Sequence, residues 1–437
     1  MQTKKSNLTV CATGDSLFVA KMPREYDEDL AAVKDFLGTG DVRMTNFESN
    51  IMDYGNYAAA ESGGTWLTTP LADFEDITRF DFNYYGTANN HTLDYSYHGL
   101  LSTLDALDAR GLAHSGSGRS LEEAVAPAVL DVNGQRVAIV AFCVVTKDSM
   151  KAGEGTPAIA PRPGVNYVRT QEYLSVTPEE EAFLRGIAEK THVNDYFNIM
   201  VETGFSKPTP KGLFKFGSLT FCSDGSKPSS VCVAVDKARI LGAVREAKKS
   251  CDAVLVLSHS HGMGKDRLCD VPEYLKEISR DCIDAGACAV IGGGTHELCP
   301  MEMYHGAPIF YSLGDFIYQG MQVHYLPADF LRAQGLEPDA SAWEGLMARS
   351  QNGRIGLQAQ RCNFLTVLPR MGFEDGRLSS LEMLPVSLGF EKEGDMKGLP
   401  CVAHGEEARE ICEILDSLSR PYGVTLKLRE DGMIVLA

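Results

Sequence analysis

The chain has 437 residues, 44% of them hydrophobic, and a formal net charge of −18. At roughly 150 residues per domain, that length suits two or three units, or one catalytic domain with appended pieces. So acidic a surface repels phosphate backbones and excludes a general nucleic-acid binder, although a bound cation can still make one site locally positive.

The chain opens MQTKKSNLTVCATGDSLF. Lys4 and Lys5 resemble the basic start of a signal peptide, but Asp15 interrupts the apolar run too early for one. No later stretch approaches the roughly 20 apolar residues that span a bilayer. The expected location is the cytoplasm, without a membrane span. Leu8 to Thr13 is a short strand ending at Gly14-Asp15, Glu28 to Leu37 has helical apolar spacing, and Val42 to Phe47 is a strand. Phe82 to Thr87 is another strand, followed by Asn89-Asn90-His91, and Leu100 to Ala109 is a helix stopped by Gly111. Gln135 to Val145 is a buried strand. Cys143 within it, like Cys232 in SVCVAV, reads as a small buried hydrophobe. With no CxxC pair among the 12 cysteines, the usage fits a reducing compartment.

Residues 153–229 carry RPG at Arg162 to Gly164, a charged helix from Pro178 to Ala188 and a Lys/Gly/Ser-rich loop, and read as an insertion. The alternation then resumes. Lys237 to Ser250 and Pro272 to Ala285 are helices; Ala253 to Ser258, Ala287 to Ile291 and Pro308 to Leu313 are strands. Residues 320–360 are mixed and Gly-punctuated. A helix from Glu406 to Leu418 and a hairpin turning at Asp431-Gly432 close the chain. Such alternation predicts an α/β sheet protein.

The chemically informative residues lie just past strand ends, where open α/β sheets place their sites. Asp15, Asn46, Glu48, Asn90, His91, His259, His261 and His296 each follow a strand. A carboxylate, an amide oxygen and imidazoles suit borderline divalent ions such as Mn, Fe or Zn. Two such ions can share a carboxylate, and Glu48 is placed to be that bridge. Glycines beside Asp15 and His296 let backbone approach closely. Each residue also has a plainer reading. Gly14-Asp15 is an ordinary turn pair, Asn89-Asn90 a helix cap, Glu48 a solvated carboxylate and His259 a satisfied core histidine. The ordered set argues for a site more than any member does.

Several segments, TGDSLF, VRMTNFESNI, TANNHTLDYSYHGLL, RPGVN, VLSHSHG and GGGTHELCPMEMYHGAPIFYSLGDFIYQG, resemble the CapA-like family of poly-γ-glutamate capsule synthesis proteins. That family is related to the calcineurin-like metallophosphoesterases. The resemblance covers most of residues 8–437. It implies a four-layer α-β-β-α sandwich over residues 1–320, with the insertion at about 153–229. Residues 321–437 would be an α+β extension packed on the same domain. It also implies one or two divalent ions held by Asp15, Glu48, Asn90, His259 and His296. His91 would be the catalytic histidine, with Asp15 and His261 also in catalytic roles, and Asn46, Asn89 and Arg162 would contact substrate.

Two imidazoles of the phosphoesterase pattern are missing. Its D-x-H is Asp15-Ser16-Leu17 here, and its G-H-x-H is Gly293-Gly294-Thr295-His296. His261 is placed to compensate. Three functions follow as expectations. The first is metal-dependent hydrolysis of a small phosphoester, a polyglutamyl chain or a peptide. The second is exchange of a peptide Cα proton, as in CapA-like epimerases. The third is ligand binding around a vestigial metal site.

Overall fold

A computed structural model of the chain describes residues 7–144 and 147–437. Val145, Lys4 and Lys5 lie outside the described residues. Two large sheets, of ten and seven strands, dominate a mixed α/β architecture. In the first, Asn7–Leu17 is central. Val42–Phe47, Tyr84–Gly86 and Ala113–Ser115 succeed one another in parallel on one side of it. On the other side Leu365–Glu374, Arg377–Ser387, Ile434–Leu436 and Leu426–Leu428 run antiparallel. The C-terminal strands therefore complete the sheet that the N-terminal strands begin. The second sheet is parallel from Gln135–Val144 through Ala253–His259 and Ala289–Gly293 to Ala307–Phe310.

Period-two alternation along each central strand divides its residues between two cores. Val10, Ala12, Val42 and Met44 of the first sheet share one buried cluster with Ile139, Ala141, Leu255 and Ile291 of the second. Cys11, Phe47 and Tyr85 turn the other way, against Leu30 and Val33 of the helix Asp27–Leu37 and Phe74 of Leu71–Ile77. Val140, Val254 and Val290 likewise pack on Ile240 and Val244 of Ala234–Ser250 and on Leu275 and Ile278 of Glu273–Asp284. Strands buried on both faces are apolar at nearly every position, as Ala253–His259 is. Each large aliphatic side chain so buried contributes about 1.5–3 kcal/mol.

The first strand was expected to end before Asp15; it continues to Leu17 through an irregularity between Ala12 and Asp15. The reason is a change of partner. Asn7 to Cys11 pair with Leu365–Glu374, whereas Asp15 to Leu17 pair with Asp315–Tyr318. Asp15 thus sits between Asn46 on one neighbouring strand and Asp315 on the other.

Within residues 153–229, Tyr167–Val168 joins the second sheet. The helix Pro178–Thr191 begins with a Thr177–Glu180 capping box, and a second helix, Asp195–Glu202, follows it. Leu174–Ser175, Leu213–Phe216 and Leu219–Cys222 form a small separate sheet. The region read as mixed, 320–360, contains the helices Ala328–Ala333 and Ala342–Arg349. Among the described residues, no helix is long and apolar enough to cross a membrane.

Candidate metal centre

The carboxyl ends of the parallel strands of both sheets converge on one buried cluster. Asp15, Glu48 and His259 bring ligand atoms within 4.8 Å of one another; so do Glu48, His261 and His296, and so do Asp15, His296 and Asp315. The three sets share members, so they form one polar centre between the sheets. It can hold a metal ion.

Local structure fixes each group. One Asp15 oxygen accepts from Asn46 Nδ2 at 2.6 Å and the other from the Gly294 amide at 2.6 Å. Gly293 permits this approach, because a Cβ there would lie 2.3 Å from Asp15 Oδ1. Burial pushes the Asp15 carboxyl up, but His259, His296 and the Asn46 amide outweigh burial and hold it below the ordinary range. His296 adopts φ 60°, in the left-handed region. Its carbonyl accepts from Asn363 Nδ2 at 2.7 Å, and its Nδ1 lies 2.9 Å from Asp315 Oδ1. Burial opposes the imidazolium of His296, yet Asp315 and Asp15 raise its pKa.

Glu48 is the anomaly. It is fully buried, and neither carboxylate oxygen has a hydrogen-bond partner. Its Oε1 lies 3.6 Å from His259 Nε2 and 3.9 Å from His91 Nε2. Burial, reinforced by the charges of Asp15, Asp315 and Asp94, pushes its pKa far above the ordinary value. A buried acceptor left unmatched costs about 1–3 kcal/mol, and more when charged. Asp315 Oδ2 is buried and unpartnered as well. Three orphaned carboxylate oxygens among imidazoles form a donor set that fits a borderline divalent cation.

Asn90 Oδ1 lies 2.7 Å from His259 Nε2, which is also 3.2 Å from His261 Nε2. His261 keeps an exposed outer edge. Packing at its inner edge and the neighbouring His259, His296 and His91 push its pKa well down, so it stands neutral. His91 Nδ1 lies 2.6 Å from Asp94 Oδ2. The Leu67 and Gly63 amides hold that aspartate at 2.8 and 2.9 Å.

The residues expected from strand ends therefore meet. Asn46 and Asn89 meet there too, but their amides are engaged internally. Asn46 bridges Asp15 and His259, and Asn89 binds Asn46, the Phe47 carbonyl and the His91 amide. Arg162 is exposed, and its Nε donates to the Lys151 carbonyl at 2.9 Å instead of facing the cluster. Two further carboxylates join the cluster beyond the residues expected from strand ends, Asp94 on His91 Nδ1 and Asp315 on His296 Nδ1. The signals were present: Asp94 is three residues after His91, one turn on, and Gly314-Asp315 repeats Gly14-Asp15.

Two clefts flank the centre. The larger, of about 710 Å³, reaches Asn90, Asp94 and His261 and is walled by Tyr97 and Lys147. The smaller, of about 320 Å³, reaches His91 and His296 and is walled by Tyr318, Arg349 and Gln358.

Comparison with known proteins shows the family of the chain. The model of the bacterial capsule synthesis protein PGA_cap family matches residues 9–320. The chain is 28% identical over 436 residues to the uncharacterized protein y4sH of Sinorhizobium fredii, covering 97% of this chain and 91% of that one. It is 24% identical over 305 residues to the PGA biosynthesis protein CapA of Bacillus subtilis, across 70% of this chain and 57% of the relative. It is 22% identical over 322 residues to the capsule biosynthesis protein CapA of Bacillus anthracis, across 72% and 61%. With its matched segment carrying every strand end that supplies the cluster, the chain belongs to the bacterial capsule synthesis protein PGA_cap family.

Proposed function

We propose that this chain is a metal-dependent hydrolase whose substrate is a phosphoester or a polyglutamyl or peptide-like chain. The observation that carries this reading is Glu48, fully buried, without a partner on either oxygen, and facing His91 and His259. The two facing sheets covered by helices support a calcineurin-like metallophosphoesterase sandwich over residues 1–320, with 321–437 extending it. The names of the Bacillus relatives, PGA and capsule biosynthesis, support a substrate drawn from an anionic polymer or its precursors.

On this reading Asp15, Glu48, Asn90, His259 and His296 would hold one or two Mn, Fe or Zn ions. His261 and Asp315 take the places of the two imidazoles missing from the phosphoesterase pattern. A bound ion supplies Lewis acidity, polarising the scissile group and acidifying water. His91 moves the proton. Nδ1–H donates to Asp94, which fixes the tautomer and leaves the unprotonated Nε2 turned toward Glu48 and the site, where it takes a proton from the attacking water and passes it to the leaving group. Asn46 and Asn89 act as positioning residues.

The test uses the full chain purified without chelator. Elemental analysis should find at least one transition-metal equivalent. Added Mn²⁺ should support hydrolysis of an aryl phosphodiester, an aryl monoester or a γ-glutamyl peptide. His91→Ala should keep the metal and lose turnover. A wild-type chain that takes up no divalent ion sinks the reading.

A further inference from the structure

Arg349 ends the helix Ala342–Arg349, beyond the residues that the family model matches. That helix is fixed at its start by a capping box, in which Ser341 and Glu344 exchange hydrogen bonds of 3.2 and 2.8 Å. At its end, Arg349 Nη1 donates to Thr65 Oγ1 at 2.6 Å and to the Gly64 carbonyl at 3.2 Å. The guanidinium carbon lies 5.4 Å from the centre of the Phe330 ring. One edge of the fork is thus anchored. Among the described residues the guanidinium makes no other hydrogen bond and no ion pair.

That lack of a counter-ion sets it apart. Each of the other described arginines that is not exposed has a carboxylate within 4.0 Å, from Arg43 and Arg79 through Arg169 and Arg280 to Arg370. Burial, partly offset by Tyr318, pushes the Arg349 guanidinium below its usual pKa. A half-buried cation without an anion is costly to keep. It lines the same 320 Å³ cleft as His91 and His296. In the larger cleft, by contrast, the Lys147 ammonium is already engaged, by Glu61 at 3.0 Å and the Ser62 carbonyl at 2.9 Å.

We propose that Arg349 is an oxyanion subsite, whose free guanidinium edge receives a carboxylate or phosphate of the substrate in the cleft beside His91. The fork is rigid and matches such groups with paired hydrogen bonds. The subsite selects substrates carrying an anion next to the scissile group and sets their direction across the centre. This assignment rests on the reading that catalysis occurs at the adjoining metal cluster.

Calorimetric titration of the full chain, with Mn²⁺ and after chelation, tests it with two probes: inorganic phosphate and the dipeptide γ-glutamylglutamate. Arg349→Gln should weaken at least one probe by about tenfold or more in both states, with Mn²⁺ affinity unchanged. Loss confined to phosphate assigns the subsite to a phosphoester, and loss confined to the dipeptide assigns it to an acidic peptide. Equal affinities of variant and wild type for both probes overturn the proposal, as does a wild type that binds neither. A wild type that takes up no Mn²⁺ sinks the metal reading instead, and the chelated arm still decides on Arg349. Should Arg349→Gln not fold, Arg349→Lys carries the test. It keeps the charge but loses the fork, so undiminished binding in that variant counts against the subsite.

Discussion

Glu48 and Asp236 are both fully buried carboxylates, in opposite surroundings. Asp236, in the first turn of Ala234–Ser250, accepts from Arg169 Nε at 2.7 Å, Arg169 Nη2 at 3.0 Å and Arg239 Nη1 at 3.1 Å. Burial pushes its carboxyl up, but the two guanidiniums outweigh that and hold it below the ordinary range. Glu48 has no partner, and its acidic neighbours add to the effect of burial. A finished ion pair ties the start of the inserted region to the helix beneath it. The unfinished group sits where strand ends converge. Burial alone therefore does not mark function; burial left unmatched does.

The sharpest way to break this contrast is to remove the unmatched carboxyl. Saturating Mn²⁺ at a thousandfold over its dissociation constant should stabilise the wild type by about 4 kcal/mol. In Glu48→Gln that gain should vanish, as read from urea melts with and without metal; a full metal response in the variant would place the ion elsewhere. Next in size is Asp94→Asn, which should reverse the His91 tautomer and cut turnover by about a hundredfold or more, with metal content unchanged.

Asp236→Ala acts on the finished pair. It should cost about 2 kcal/mol in urea melts, below the roughly 3–5 expected of a fully buried pair, because Arg169 keeps solvent contact. The sign with pH follows from the lowered carboxyl. The contribution of Asp236 is present above the ordinary carboxylate pKa and is lost as pH falls through the folded value. Wild type and Asp236→Ala should therefore converge in acid, and a constant gap would deny the pair its role. The smallest effect should be a gain: chelated Glu48→Gln should exceed chelated wild type by about 1 kcal/mol, since the variant lacks a carboxyl whose ionisation burial and its acidic neighbours oppose in the folded protein.

Much of this arrangement was legible. Val42–Phe47 was readable to the residue, because Val42 and Met44 alternate with Arg43 and Thr45 just after the Gly38-Thr39-Gly40-Asp41 turn. Asp15, Glu48, Asn90, His259 and His296 were found through one rule, polar residues after strands. The same rule reaches Asp315, since Gly314-Asp315 follows the strand expected over Pro308 to Leu313, but it hides Asp94, which lies in a turn. It also misplaced Asp15, whose strand runs on because Val42–Phe47 keeps pairing with one edge and Asp315–Tyr318, three hundred positions away, joins the other. The helix carrying Arg349 was lost in a Gly-punctuated stretch, and the contacts that orient it come from Gly64, Thr65 and Phe330. No local pattern encodes those.

The first strand's change of partner also sets a timetable. Asn7–Leu17 is synthesised soon before Val42–Phe47, which pairs with one edge, yet its other edge waits for Asp315–Tyr318 and then for Leu365–Glu374. Until those residues emerge, one edge of the central strand stays open, a hazard for pairing with other chains and a natural place for a chaperone to bind. The cluster of strand ends cannot close before Asp315 joins it and Asn363 holds the His296 carbonyl, so any ion it takes up follows those long-range pairings.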